Sequence, residues 1–288
     1  MKPTPVIAFC PGHISGYFRR IEGASSASTG SISAGIVIST GVTVSVFPAV
    51  TTSICIRQKE VTGRWREVAR TSTPLEYILE RLGLTAAVKT ESELPIGAGF
   101  GLSAAALLAT LTALNRLFNL GLTPHGVAEL AHETEVIHRT GLGDVAACQG
   151  GGRVLRKGPG IDGEIERIFD LTEPLYAVSF GPIATPTILG SQERLEQISS
   201  AFPTALPRDP GEFFRISLQF ARSSGLVTPE VQQVLVRCAK ENIPASMTML
   251  GNGVFACGRK ARALLMNYGD VHEFRMATSG TCILKEEP

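Results

Sequence analysis

Hydrophobic positions along the chain follow two rhythms. The first sixty residues favour strands: 6–10 is a short apolar run, and 36–47 and 51–56 are rich in Val, Ile and Thr. Residues 24–35 are almost all Ala, Ser and Gly, and they predict a loop. Such a loop is either a flexible connection or a segment whose backbone lies close to a small ligand. Beyond residue 72 the period lengthens. A helix is expected over 74–82 with Thr73 as N-cap, then a strand over 84–91. A stronger helix follows over 102–120, closed by Gly121, and another over 124–138 with Thr123 as cap and Pro124 at its first turn. Gly150, Gly151 and Gly152 break the pattern, and 152–156 and 176–179 read as strands. Helices are expected over 192–199, 212–223, 229–240 and 259–268. Strands are expected within 246–257 and over 272–277 and 281–284. A change of composition across 156–175 predicts two domains, 1–160 and 161–288.

Composition narrows the class. Of the 288 residues, 44% are hydrophobic and 18% charged, enough for a packed core and unlike a disordered chain. Lys and Arg number 27 against 26 Asp and Glu, a net charge of +1, which argues against nucleic acid as the partner. The six cysteines include no C-x-x-C pair, so neither a zinc site nor a disulfide framework is predicted. Free thiols in a reducing cytoplasm are the expectation. Residues 104–114 are the most apolar helical stretch and fall short of the roughly 20 residues that span a bilayer. Residues 1–5 lead into an apolar run broken by Pro11-Gly12, which is not a signal-peptide pattern.

The candidate chemistry centres on residues 94–106, where Gly97, Gly99 and Gly101 alternate before Ser103, Ala104, Ala105 and Ala106 open the strong helix. Glycines let backbone N–H groups converge on an anion, and a helix start adds free N–H groups and the positive end of its dipole. Ser103 can offer its hydroxyl to a phosphate or a metal ion. The spacing is neither a Walker A loop nor the G-x-G-x-x-G of dinucleotide-binding proteins. A tight strand-to-helix turn would also use such residues.

Pro95-x-Gly97-x-Gly99-x-Gly101-x-Ser103-Ala104-Ala105 resembles the phosphate-loop motif of the GHMP small-molecule kinases, with Phe100 where Leu is usual and Leu102 in place of the first of two serines. Phe9 to Gly16, including Pro11, Gly12 and His13, resembles the superfamily's N-terminal motif near the phosphoryl acceptor. Ser246 to Ala256, including Gly251 and Gly253, resembles its C-terminal glycine-rich motif. The resemblance spans almost the whole chain. It implies an α+β two-domain GHMP fold: an N-terminal ribosomal-protein-S5-like domain, a C-terminal α/β-sandwich domain and an active site between them. It also implies ATP held by Pro95, Gly97, Ala98, Gly99, Phe100, Gly101, Leu102, Ser103, Ala104 and Ala105. Mg²⁺ would be held by Ser103 and Glu135, with Glu133 as the rival, and Asp144 would act as base or orienting group. Any one helix glutamate also reads as a surface charge, and Asp144 also reads as the N-cap of a short helix over 145–148. Such kinases are commonly homodimers.

Within the superfamily the stretches 11–18, 30–35, 131–136 and 140–145 look most like the archaeal pantoate kinases. That likeness implies phosphorylation of (R)-pantoate to (R)-4-phosphopantoate on the archaeal route to coenzyme A. His13 is the histidine expected to touch this acceptor. Arg19, Arg20, Gly30, Ser31 and Gly251 are candidate acceptor contacts, with Ile14, Tyr17 and Phe18 as an apolar wall. Homoserine, shikimate or mevalonate-like acceptors are the rival substrates. A non-catalytic ligand sensor on the same fold is the rival class.

Overall fold

The computed structural model describes residues 4–183 and 185–285. Residues 1–3 of the stretch read as leaderless, and Ala184 and residues 286–288 of the expected second domain, lie outside the described residues. The chain begins with two long antiparallel strands, β1 (Val6–Ile21) and β2 (Gly30–Pro48). Pro11-Gly12 was expected to interrupt the first strand. Instead the ladder shifts register between Pro11 and Gly12, shifts again between Ser15 and Tyr17, and continues. Such bulges accommodate a proline that cannot donate a ladder bond, and they bend the strand pair.

The expected loop over 24–35 is shorter than its composition suggests, because residues 30–35 belong to β2. Their smallness serves close packing. A Cβ on Gly30 would come within 2.5 Å of the Gly160 backbone nitrogen, and Gly35 lies directly beneath the His13 ring.

The chain continues through β3 (Ser53–Lys59), β4 (Trp65–Ala69), α1 (Thr73–Arg81), β5 (Ala86–Ser92), α2 (Leu102–Phe118), α3 (Pro124–His138) and α4 (Asp144–Cys148). Then come β6 (Arg153–Arg156), β7 (Ile165–Ile168), β8 (Leu175–Pro182), α5 (Thr185–Leu189), α6 (Gln192–Ser200), α7 (Pro210–Ser223) and α8 (Pro229–Lys240). β9 (Ala245–Met247), β10 (Gly251–Cys257), α9 (Arg259–Leu265), β11 (Val271–Phe274) and β12 (Cys282–Lys285) complete it.

The larger sheet runs β12-β1-β2-β5-β3-β4, with β6 and β7 extending from the first half of β2. Its β3–β5 pair is parallel and its other pairs antiparallel. The smaller sheet, β11-β8-β10-β9, is antiparallel throughout. β7, beyond residue 160, therefore pairs in the first sheet, and β12 returns from the chain's end to β1. α7 packs on both β1 and β9 and so joins the two halves. The fully buried Arg153 reinforces that junction by bonding Asp170 and the carbonyls of Pro207 and Arg208.

α2 is buried on nearly every side, with Leu107, Leu108, Leu111 and Leu114 all in the core. A helix apolar all round belongs inside. It ends at Phe118, one turn before the expected Gly121, because Asn119 takes the left-handed cap conformation at φ 52°. Ser72, not Thr73, precedes α1. The short β4, β7 and α5 had no sequence signal strong enough to predict them. All six cysteines are free. No helix among the described residues is long and apolar enough to cross a membrane.

Candidate active site

The three glycine-bearing segments, far apart in sequence, meet around residues 95–105. Gly97, Gly99 and Gly101 all have positive φ, a conformation that Cβ-bearing residues resist. A Cβ on Gly99 would also lie 2.8 Å from the Met249 carbonyl. The turn is pinned from three sides. Gln58 on β3 accepts from the Ile96 N–H at 3.2 Å, and the Ile183 N–H donates to the Gly97 carbonyl at 3.1 Å. The His13 N–H of the N-terminal segment donates to the Phe100 carbonyl at 2.9 Å. Gly251 of the C-terminal segment packs against Ala98, where a side chain could not fit. Phe100 lines the cavity, and its ring makes edge contacts with His272 and Phe274.

Gly101 is the N-cap of α2, in the left-handed region and with no side chain to offer. No side chain therefore caps the N–H groups at the helix start, and the buried helix behind them directs its positive dipole end at the same place. Gly97, Gly99, Gly101, Leu102 and Ser103 line a cavity of about 410 Å³.

Asp144 lines the same cavity. It is the first residue of α4, and Gly143, not Asp144, is the cap. The Nδ1–H of the buried His13 donates to its Oδ1 at 2.6 Å. Behind Asp144 stands Glu135 on α3, fully buried, its carboxylate packed on Gly141. Neither Glu135 oxygen makes a side-chain or backbone hydrogen bond of normal geometry. Burial, then the charge of Asp144, pushes its carboxyl well above the usual range, and the nearby Val145 N–H and Arg156 offset only part of this.

A buried carboxylate in that state is a natural ligand for a hard cation. Ser103 and Asp144 line the cavity, whereas Glu135 lies behind Gly141 and does not; all three offer the oxygen donors that Mg²⁺ prefers. No cluster of three or more His, Cys, Asp or Glu side chains suited to a metal occurs among the described residues. Mg²⁺ held largely by phosphates and waters does not require one. The rival Glu133 points elsewhere, into an ion pair with Arg81 at 2.7 Å between α1 and α3.

The other expected contacts divide. His13, Ser31 and Phe18 line the cavity, whereas Ile14 and Tyr17 lie in the core. Gly30 and Gly251 support neighbouring backbone without lining it. Arg19 and Arg20 do not reach the wall. Arg19 lies over the Phe202 ring at 4.7 Å, and Arg20 pairs with Glu22 and bonds the Leu189 carbonyl.

The sequence reading missed Arg156. Its Nη1 donates to Ser31 Oγ and the Leu142 carbonyl, its Nη2 to the Gly160 carbonyl, and it makes no ion pair among the described residues. Burial brings its pKa down to about 10, against the opposing pull of Asp144 and Glu135. An arginine in a short strand carries no signal of its own. Only the pairing of β6 with the 33–36 stretch of β2 puts it behind Ser31.

The chain is similar to known proteins along nearly its whole length. Residues 69–152 match the N-terminal domain of the GHMP kinases. The chain is 45% identical over 284 residues to the pantoate kinase of Methanospirillum hungatei, covering 99% of this chain and 98% of the relative. It is 30% identical over 261 residues to that of Methanocaldococcus jannaschii, covering 88% and 92%. A solved structure described as a phosphotransferase related to the CoA biosynthesis pathway superposes with a TM-score of 0.82 at 26% identity, over 97% of this chain and 98% of that one. With identity sustained along nearly the full length of both sequences, the chain belongs to the pantoate kinase family of the GHMP kinases.

Proposed function

We propose that the protein transfers the γ-phosphoryl group of ATP to the 4-hydroxyl of (R)-pantoate, giving (R)-4-phosphopantoate for coenzyme A synthesis. The observation that carries this reading is that Asp144 and the uncapped start of α2 face one cavity. Phosphoryl transfer needs little covalent help from a protein. It needs a positioned hydroxyl and donors aimed at the phosphate oxygens.

The N–H groups of residues 99–103 cradle the phosphates, and Ile56, Pro74, Leu75 and Leu107 give the cavity an apolar arm for the purine. The acceptor lies on the other side. Ser31 and Ser33 offer hydroxyls to its carboxylate, with the positive charge of Arg156 directly behind Ser31. Phe18 and Leu142 meet its methyl groups. Asp144, held by His13, orients the acceptor hydroxyl and takes its proton as the oxygen attacks. Glu135 and Ser103 are the residues to hold Mg²⁺, which when bound neutralises charge on the transferring phosphates. The free cysteines support a cytoplasmic site of action.

A coupled ADP-release assay with ATP, Mg²⁺ and a panel of pantoate, homoserine, shikimate and mevalonate tests the assignment. Turnover is expected with pantoate. Turnover with another acceptor alone, or with none, contradicts it.

A further inference from the structure

The run Gly150-Gly151-Gly152 has no part in the cavity, yet it lies directly after the helix that carries Asp144. α4 has only five residues, so its last carbonyls find partners outside the helix: that of Ala147 accepts from the Gly150 N–H at 3.4 Å, and that of Cys148 from the Cys10 thiol at 4.0 Å. Arg167 on β7 adds charged donors to those of Ala146 and Ala147. Its Nη1 donates to the carbonyls of Ala147 at 2.8 Å and Gly151 at 3.0 Å, and its Nη2 to that of Ala146 at 2.7 Å. The guanidinium makes no ion pair among the described residues, so this carbonyl cluster is what it serves. Gly150 makes the room, since a Cβ there would come within 2.9 Å of the guanidinium carbon. A cation at a helix C-terminus also meets the negative end of the dipole.

We infer that Arg167 is a positioning residue for phosphoryl transfer: it clamps the C-terminal end of α4 so that Asp144, about 7 Å away at the other end, is aimed at the acceptor hydroxyl. The helix is thus held at both ends, by His13 at its start and by Arg167 at its finish. This inference rests on the reading of Asp144 as the group that orients the hydroxyl. A helix this short has no stability of its own to hold a carboxylate within the tolerance that transfer requires.

The test is a double-mutant cycle on the full-length protein, assayed with ATP, Mg²⁺ and pantoate. Arg167→Ala is expected to lower kcat on the order of 10- to 100-fold, with KM for ATP and pantoate within about twofold. Arg167→Lys should recover part of that loss. Gly150→Ala, which presses on the guanidinium without removing it, should show a milder form of the same loss and serves if Arg167→Ala does not fold. In the Asp144→Asn background, adding Arg167→Ala should cost less than about twofold further, because its effect runs through Asp144. An equal loss in both backgrounds, or Arg167→Ala at full rate beside an inactive Asp144→Asn, overturns the inference and leaves the Asp144 reading standing. Full activity of Asp144→Asn overturns that reading itself.

Discussion

The His13 ring nitrogen Nδ1 and the Asp144 carboxylate oxygen Oδ1 lie 2.6 Å apart, although 131 residues separate them in sequence. This bond joins the N-terminal motif to the start of α4 at the cavity wall. In the proposed reaction His13 therefore positions Asp144 as well as lining the cavity. Its Nε2 is buried over Gly35 without a partner, so the ring has no other hydrogen-bonding task. His13→Ala should lower kcat on the order of 10- to 100-fold, and Asp144→Asn about 10²- to 10⁴-fold, both with little change in KM for ATP. Steady-state kinetics separates the two parameters. A raised KM for ATP with kcat intact would refute these roles.

Glu135 gives a prediction in pH. Its folded-state pKa is raised, so it contributes stability that is fully present below about pH 4.5 and is lost as pH rises through the folded value. Glu135→Gln removes that loss. Without Mg²⁺ or nucleotide the variant should melt at a higher temperature than the parent at pH 8, with the difference closing toward pH 4.5. The same variant should lose activity and the stabilisation that Mg²⁺ with a nucleotide gives the parent. Melting curves across pH check both halves.

Under the proposed reading, Arg156→Gln removes the buried charge behind Ser31 and should raise KM for pantoate about tenfold while leaving KM for ATP near its original value. Arg20→Ala should shift the pantoate KM far less, since its guanidinium is already engaged by Glu22 and Leu189.

Gly99→Ala forces a side chain onto φ +83° and toward the Met249 carbonyl. It should cost about 1–3 kcal/mol of stability and raise KM for ATP. Thermal unfolding and nucleotide titration measure the two effects.

The glycine-rich turn before α2 was legible in the sequence because it is a local pattern, whereas the roles of Ser103, Glu135 and Asp144 came only from the family resemblance. The phosphate turn depends on backbone freedom, and glycines advertise that directly. The acceptor contacts were less legible. Arg19 and Arg20 were read from nearness to His13 along the chain, but a strand sends alternate residues to opposite faces, and the two bulges in β1 shift that alternation. Arg19 consequently faces Phe202.

Arg156 and Arg167 were invisible for a related reason. Both sit on short strands of one hairpin, and only sheet pairing brings them under Ser31 and α4. The small residues 30–35 misled in the same way. Their composition suits a loop, but here it lets two layers of backbone and the His13 ring approach closely.

In the proposed reaction, main-chain amides at the start of α2 hold the triphosphate in the cavity that Asp144 also lines. A crystal structure with a non-hydrolysable ATP analogue, Mg²⁺ and pantoate tests it most directly. The β- and γ-phosphates should lie within hydrogen-bond distance of the N–H groups of residues 99–103, with the pantoate 4-hydroxyl against Asp144. A triphosphate seated elsewhere, with that turn empty, would contradict it.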